Sequence, residues 1–151
     1  MENKNYELGY LHYHNREYEL AYSYFLNASK ENCSLAYLSL ATLYHRGRGV
    51  EKDLDLAFKY YMLAAENDLV EGYYFIGEFY ELGKVVEKDL TKAFEYYKKA
   101  ADKGYVKAMF IVGVKLFEGI GVTQNRVEGI NYLVEAAKKG SDSAKKYIKN
   151  I

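Results

Sequence analysis

Three histidines, one cysteine and a pair of Gly-x-Gly turns are the groups in this chain whose chemistry needs weighing first. His12 and His14 stand two apart, so on a helix they face roughly 200° apart and cannot both grip one metal. His12 also falls in an apolar stripe, at a position where Tyr44 and Tyr80 recur later, and reads as a buried structural histidine. His45, near a helix end, is placed either to hydrogen-bond a partner or to be solvated. A catalytic thiol needs a base and an activating environment. Neither is evident around Cys33, which reads as a small packing residue. Gly47-Arg48-Gly49 is the kind of turn that can cradle a phosphate, but no strand precedes it and no Gly-Lys-Ser/Thr follows. It recurs as Gly119-Ile120-Gly121, which marks it as a structural element. Glu51-Lys52-Asp53 and Glu87-Lys88-Asp89 are likewise repeated loop residues, solvated or capping. No triad, zinc site or calcium loop is legible, so no catalytic residue, metal or cofactor is expected.

The repetition is the organising feature. Gly47, Gly83 and Gly119 are spaced 36 apart, as are Val50, Val86 and Val122, and Tyr60, Tyr96 and Tyr132. Ala64-Ala65 returns as Ala100-Ala101 and Ala136-Ala137. A fixed period of this length marks stacked units, each burying its apolar face against its neighbours. The sequence predicts an all-α, right-handed superhelix of about four helix pairs plus a C-terminal capping helix. The expected repeats cover about 3–34, 35–70, 71–106 and 107–142, with the cap at 143–151, in a single domain over residues 1–151.

Composition fits a folded chain. Of 151 residues, 50% are hydrophobic and 28% charged, enough to bury a core and too apolar for disorder. The 21 basic and 21 acidic side chains cancel, which argues against a broad basic field for nucleic acid. Pro is absent, so nothing interrupts the helical reading. The 18 Tyr suit half-buried seams, where the ring packs and the hydroxyl stays wet or bonded. A lone cysteine suggests a reducing compartment. With no signal-like segment and no apolar run long enough to span a bilayer, a cytoplasmic protein is expected, without a membrane partner.

Each unit reads as two helices, A and B. Tyr37, Leu40, Ala41 and Tyr44 lie at i, i+3, i+4, i+7, repeated by Tyr73, Ile76, Gly77, Tyr80 and by Met109, Val112, Gly113, Leu116. The small residue in each stripe (Ala41, Gly77, Gly113) should let helix B approach closely, which would offset the roughly 1 kcal/mol that Gly costs inside a helix. Gly47, Gly83 and Gly119 are placed to end helix A left-handed. Val50, Val86 and Val122 should plug the loop into the core. Asp53, Asp89 and Asn125 should cap helix B, with Glu128 completing a capping box at Asn125. Gly104 and Gly140 close their helices, and Asp68 does so less ideally. The first unit has Leu8 and Gly9 in helix A and Ala21, Tyr24, Phe25 and Ala28 in helix B. Its A–B loop is four residues shorter, leaving a tight turn near Asn15-Arg16. Lys145, Lys146 and Lys149 suit a polar cap, with Ala144 and Ile148 in register.

Residues Ile76-Gly77, Tyr80, Gly83, Val86, Asp89, Lys92-Ala93, Tyr96-Tyr97, Lys99-Ala100-Ala101 and Gly104 carry a resemblance that covers nearly the whole chain. The chain resembles Sel1-like repeats, relatives of the tetratricopeptide repeat with a longer A–B loop; its first unit, with the short turn, looks more like a tetratricopeptide repeat. The resemblance implies a non-enzymatic adaptor or scaffold that binds a protein or peptide. The rivals are an inhibitor or immunity-type partner of a toxin or enzyme, and a self-associating structural chain. A third is a binder of β-lactams or peptidoglycan fragments, like the cysteine-rich branch of the family. Cys33 alone departs from that branch's disulfide pattern.

By analogy with tetratricopeptide folds, helix A residues one place beyond the stripe face a concave groove. They are Tyr6, Tyr10, Tyr13 and His14 in the first unit, and Leu38, Thr42, His45 and Arg46 in the second. The third gives Tyr74, Glu78 and Glu81, and the fourth Phe110, Val114, Phe117 and Glu118. Aromatic anchors in a groove commonly dominate binding energy, so an apolar peptide or helix is the expected ligand, with Glu78 and Glu81 engaging a Lys or Arg. The competing reading is that several of these rings complete packing between repeats. A monomer is expected.

Overall fold

The structure, a computed structural model, describes residues 3–151. Among them are nine helices and no strand: α1 Lys4–His14, α2 Tyr18–Lys30, α3 Ser34–Arg46, α4 Leu54–Glu66, α5 Val70–Leu82, α6 Leu90–Asp102, α7 Val106–Glu118, α8 Arg126–Lys138 and α9 Asp142–Lys149. Two compact units, each larger than a single repeat and called the first and second unit below, divide the chain at residues 1–72 and 73–151, and α5 begins in the first and continues in the second. In the first, α1, α2, α3 and α4 pack in succession; in the second, α6, α7, α8 and α9 do. The all-α repeat architecture expected from the period is the one observed.

The period-36 positions do the same structural work in each pair. Phe25, Tyr61, Tyr97 and Leu133 are large buried helix-B side chains at period-36 positions, and Phe25, Tyr97 and Leu133 face Gly9, Gly77 and Gly113 on helix A. A Cβ at Gly9 would stand 2.6 Å from the Phe25 ring, one at Gly77 3.0 Å from the Tyr97 ring, and one at Gly113 2.7 Å from Leu133. The small residues are therefore required by close helix approach. One place before that buried column, ring pairs stack face to face: His12 on Tyr24 at 5.2 Å, Tyr44 on Tyr60 at 5.9 Å and Tyr80 on Tyr96 at 5.7 Å, all within 9° of parallel.

Helix ends follow the sequence signals. Gly47, Gly83 and Gly119 have φ of 63°, 64° and 76°, the left-handed geometry glycine tolerates. Asp53, Asp89 and Asn125 each accept the N–H three residues on, at 2.9, 2.9 and 3.1 Å. Arg16, in the short first turn, has φ 64°, and Asp68 has φ 66°.

Three expectations need correction. The Asn125 capping box is only half formed. The Asn125 backbone N–H bonds Leu116 O at 2.8 Å, and the Glu128 carboxylate instead accepts from the Asn125 side-chain amide at 3.1 Å. Val50, Val86 and Val122 are only half-buried, and Val50 packs from there against the cluster of Ala21, Phe25, Leu40 and Leu43. His12 keeps its stacking place but is only half-buried, with Nδ1 2.6 Å from Glu17 Oε2. Tyr44 is buried because Tyr22 of the preceding helix pair closes over it, the two hydroxyls 2.9 Å apart; among the described residues no such ring stands over His12.

Candidate functional site

In the first unit, Tyr6, Tyr10, Tyr13 and His14 of α1 and Leu38, Ser39 and Thr42 of α3 surround an open pocket of about 230 Å³, with Phe25 of α2 behind it. The i, i+4 spacing on α1 stacks the wall: the Tyr6 and Tyr10 ring centres are 6.3 Å apart and those of Tyr10 and His14 4.1 Å. Tyr10 is 53% exposed, a large ring left facing water. Polar groups at the rim are already oriented. His14 Nδ1 lies 2.9 Å from Tyr10 O, and since a carbonyl only accepts, Nδ1 carries the proton. Ser39 and Thr42 donate their hydroxyl protons to Leu35 O and Leu38 O at 3.2 and 3.0 Å. Arg48 Nη1 donates to Tyr13 Oη at 3.1 Å. Burial is the main cause that raises the Tyr6 phenol above its ordinary value.

In the second unit, Phe110, Ile111, Val114 and Lys115 of α7 share a hollow of about 270 Å³ with Glu81, Ile120 and Tyr147. Tyr147 of α9 meets Phe110 and Phe117 edge-on at 6.2 and 6.0 Å, and its hydroxyl donates to Glu118 Oε1 at 2.6 Å. Desolvation and then Glu118 push its phenol up to about 12. Behind the hollow, Lys115 is 4% exposed and bonds the Glu81 carboxylate, which also accepts from Tyr97 Oη at 2.8 Å. Burial first, and Glu81 second, hold the Tyr97 phenol far above its usual range. Among the described residues, no group of three or more His, Cys, Asp or Glu gathers to hold a metal, and no helix is long and apolar enough to cross a membrane.

The residues picked out by register divide by environment. Tyr6, Tyr10, Tyr13, His14, Leu38 and Thr42 line one pocket. His45, of the same set, turns to Tyr61 Oη at 3.2 Å. Glu81, Phe110 and Val114 line the second hollow, but Glu81 is engaged by Lys115 and Tyr97. Tyr74 is half-buried among the rings of Phe75, Tyr97 and Tyr105, at 5.3, 5.6 and 5.2 Å, and burial raises its phenol. Phe117 lies under Tyr147 with the Arg126 guanidinium 5.3 Å from its ring centre. Glu78 is half-buried near Tyr74. Cys33 is half-buried at the N-cap of α3.

Ser39, Lys115 and Tyr147 line these hollows too and lie outside the predicted column. A signal for each was available in the period: residues 39, 75, 111 and 147 read Ser, Phe, Ile, Tyr, and residues 43, 79 and 115 read Leu, Phe, Lys.

Comparison with known proteins agrees with this architecture. The Sel1 repeat family model matches residues 34–69, 70–105 and 106–141. The chain is similar to a Sel1 repeat protein from Oxalobacter formigenes, 30% identical, with a TM-score of 0.79 over 84% of this chain and 96% of that one. It is similar to a protective antigen of uropathogenic Escherichia coli displaying an SLR fold, 27% identical, TM-score 0.87, over 93% of this chain and 31% of that one. It is also similar to cysteine rich protein B of Helicobacter pylori, 30% identical, TM-score 0.68, over 87% and 94% of the two chains. No curated protein matches significantly in sequence.

Proposed function

The chain belongs to the Sel1 repeat family, whose members generally serve as protein-interaction scaffolds, and on that footing we propose that it is a monomeric, cytoplasmic adaptor that binds a protein or peptide without catalysing a reaction. The partner sits against the helix-A faces. The observation that carries this reading is the open pocket of the first unit, where Tyr6, Tyr10, Tyr13, His14, Leu38 and Thr42 converge around a solvent-facing ring. Rings gathered at an open concavity are the usual anchors of an interface. In the second unit the corresponding rings are more occupied, Phe110 and Phe117 by Tyr147 and Tyr74 by its neighbours. The first unit is therefore the principal docking surface.

The test compares the wild type with a Tyr10→Ala, Thr42→Arg double variant, neither position being core. Each is immobilised and exposed to lysate of the source cell, and captured proteins are identified by mass spectrometry. A partner kept by the wild type and lost by a variant of unchanged helicity supports the reading. Identical captures on both remove the groove from the explanation.

A further inference from the structure

The first unit contains the cleft that Tyr147 fills in the second, with the plug left out. Equivalent positions on helix A are 6 and 110, 13 and 117, and 14 and 118; the residue reaching in from the next helix A is 39 or 147. In the second unit the Tyr147 ring enters between Phe110 and Phe117 and its hydroxyl donates to Glu118. In the first unit Tyr6, Tyr13 and His14 hold the places of Phe110, Phe117 and Glu118, while Ser39 holds that of Tyr147. A serine in place of a tyrosine leaves the aromatic walls without the ring that fits them, and the 230 Å³ pocket lies there.

We propose that this pocket binds a tyrosine side chain presented by an acidic segment of the partner, an inference that rests on the groove reading above. The ring enters between Tyr6 and Tyr13, edge-on to both as Tyr147 is to its neighbours, a geometry the aromatic quadrupole favours. The hydroxyl donates to His14. With its Nδ1 proton committed to Tyr10 O, Nε2 is the ring nitrogen left to accept, in the place of the Glu118 carboxylate.

Charge selects the segment. Tyr147 lies between Lys146 and Lys149 in a lysine-bearing helix that meets Glu118. At the Tyr13 end of the first pocket the sign is reversed: Arg48 holds the wall residue Tyr13 and Arg46 ends α3, while the one carboxylate acting on the wall, Glu71, faces the Tyr6 phenol at the other end. A carboxylate beside the incoming tyrosine meets these cations, whereas a lysine beside it is repelled.

Nuclear magnetic resonance titration of the full chain tests this with four probes: p-cresol, toluene, N-acetyl-Glu-Tyr-amide and N-acetyl-Lys-Tyr-amide. The expected result is saturable shifts at Tyr6, Tyr13, His14 and Leu38. p-Cresol should bind about fivefold tighter than toluene, as one neutral hydrogen bond allows, and the Glu-Tyr probe tighter than Lys-Tyr by a margin that salt erodes. His14→Leu should erase the cresol preference while both rings still bind. Ser39→Tyr should abolish binding of both while thermal unfolding is unchanged or raised; should it misfold, Ser39→Leu takes its place. Absence of saturable shifts at these residues, or shifts unchanged in the plugged variant, overturns the inference. A partner captured from lysate equally by wild type and Ser39→Tyr also overturns it, yet leaves the groove reading standing. Cresol binding blocked by Ser39→Tyr, with captures indifferent to Tyr10 and Thr42, sustains the pocket and removes the groove reading.

Discussion

Where α9 sends Tyr147 between Phe110 and Phe117, α3 offers Ser39 between Tyr6 and Tyr13. The backbone arrangement repeats; the side chain in one column does not. In a stacked-repeat protein each repeat is stabilised by its neighbours, so Tyr147 makes a packing junction between Phe110 and Phe117, where Ser39 leaves the space between Tyr6 and Tyr13 open. Function can therefore arise by subtraction at a single repeat position. A second column makes the same point in polar terms. Leu43 is a buried apolar residue in the first unit, while its equivalent Lys115 is buried against Glu81 in the second.

That polar substitution offers the largest test of the comparison. Removing the carboxylate by Glu81→Ala leaves a buried ammonium without its partner and frees Tyr97 Oη. Breaking a buried pair costs about 3–5 kcal/mol, and with the Glu81 side chain 32% exposed we expect about 2–3 kcal/mol by denaturant unfolding. Lys115→Leu, which restores the residue type of the first unit, should be near neutral, and adding it to Glu81→Ala should recover most of the loss. A double variant as unstable as Glu81→Ala alone would show that the carboxylate acts through Tyr97 and not through Lys115.

Next in size is the plug. Tyr147→Ala deletes two edge-on ring contacts and a hydrogen bond at a half-buried site, and should cost about 2 kcal/mol. A melting temperature within error of the wild type would mean that the ring adds no packing. The contrast with Ser39 would then carry no energy.

A smaller effect is expected in the A–B loops. Residues 49, 85 and 121 are Gly, Val and Gly, all left-handed, with φ of 69°, 66° and 71°. A β-branched residue is a true outlier in that region, and Val85 is 45% exposed, with little burial to offset the strain. Val85→Gly should raise stability by about 1 kcal/mol, net of the chain entropy glycine adds, measured as a shift in the denaturant midpoint. No gain would mean that the valine contacts outweigh its backbone cost.

The sequence carried the fold almost entirely, because the period puts each helix end and each close crossing under the same local rule. Gly47 had to be left-handed for the same reason as Gly119, and Asp53 had to cap for the same reason as Asp89. The first-unit pocket was legible in its walls, since register together with the likeness to tetratricopeptide folds placed Tyr6, Tyr10, Tyr13, His14, Leu38 and Thr42 on one side. Its existence was not legible from that register. A void depends on the residue that fails to fill it, and Ser39 belongs to a column seen only when the units are aligned. The engagement of Glu81 within the fold was not legible for a similar reason. Its fate is set by Lys115, one repeat away, at a position where Leu43 and Phe79 gave no hint of charge.

The finest test isolates the Tyr147 hydroxyl. Tyr147→Phe keeps the ring and removes only the bond to Glu118, so at neutral pH it should cost about 0.5 kcal/mol, a net hydrogen bond discounted for partial exposure. The pH dependence gives a sharper signature than the magnitude. The folded phenol titrates at about 12, against about 10 unfolded. The native state therefore holds this proton more tightly, and the contribution is fully present below pH 10 and lost as pH rises from 10 through 12. Other tyrosines raised by burial, among them Tyr74 and Tyr97, also titrate at high pH. They are common to both chains and cancel in the difference. The stability gap between wild type and Tyr147→Phe should thus be constant to about pH 10, close soon above it, and reverse before pH 12, because a tyrosinate then faces the Glu118 carboxylate. A gap that stays flat across that window would mean that the hydroxyl does not depend on Glu118. The plug would then be held by its ring alone, and the acceptor role assigned to His14 in the open pocket would lose its template.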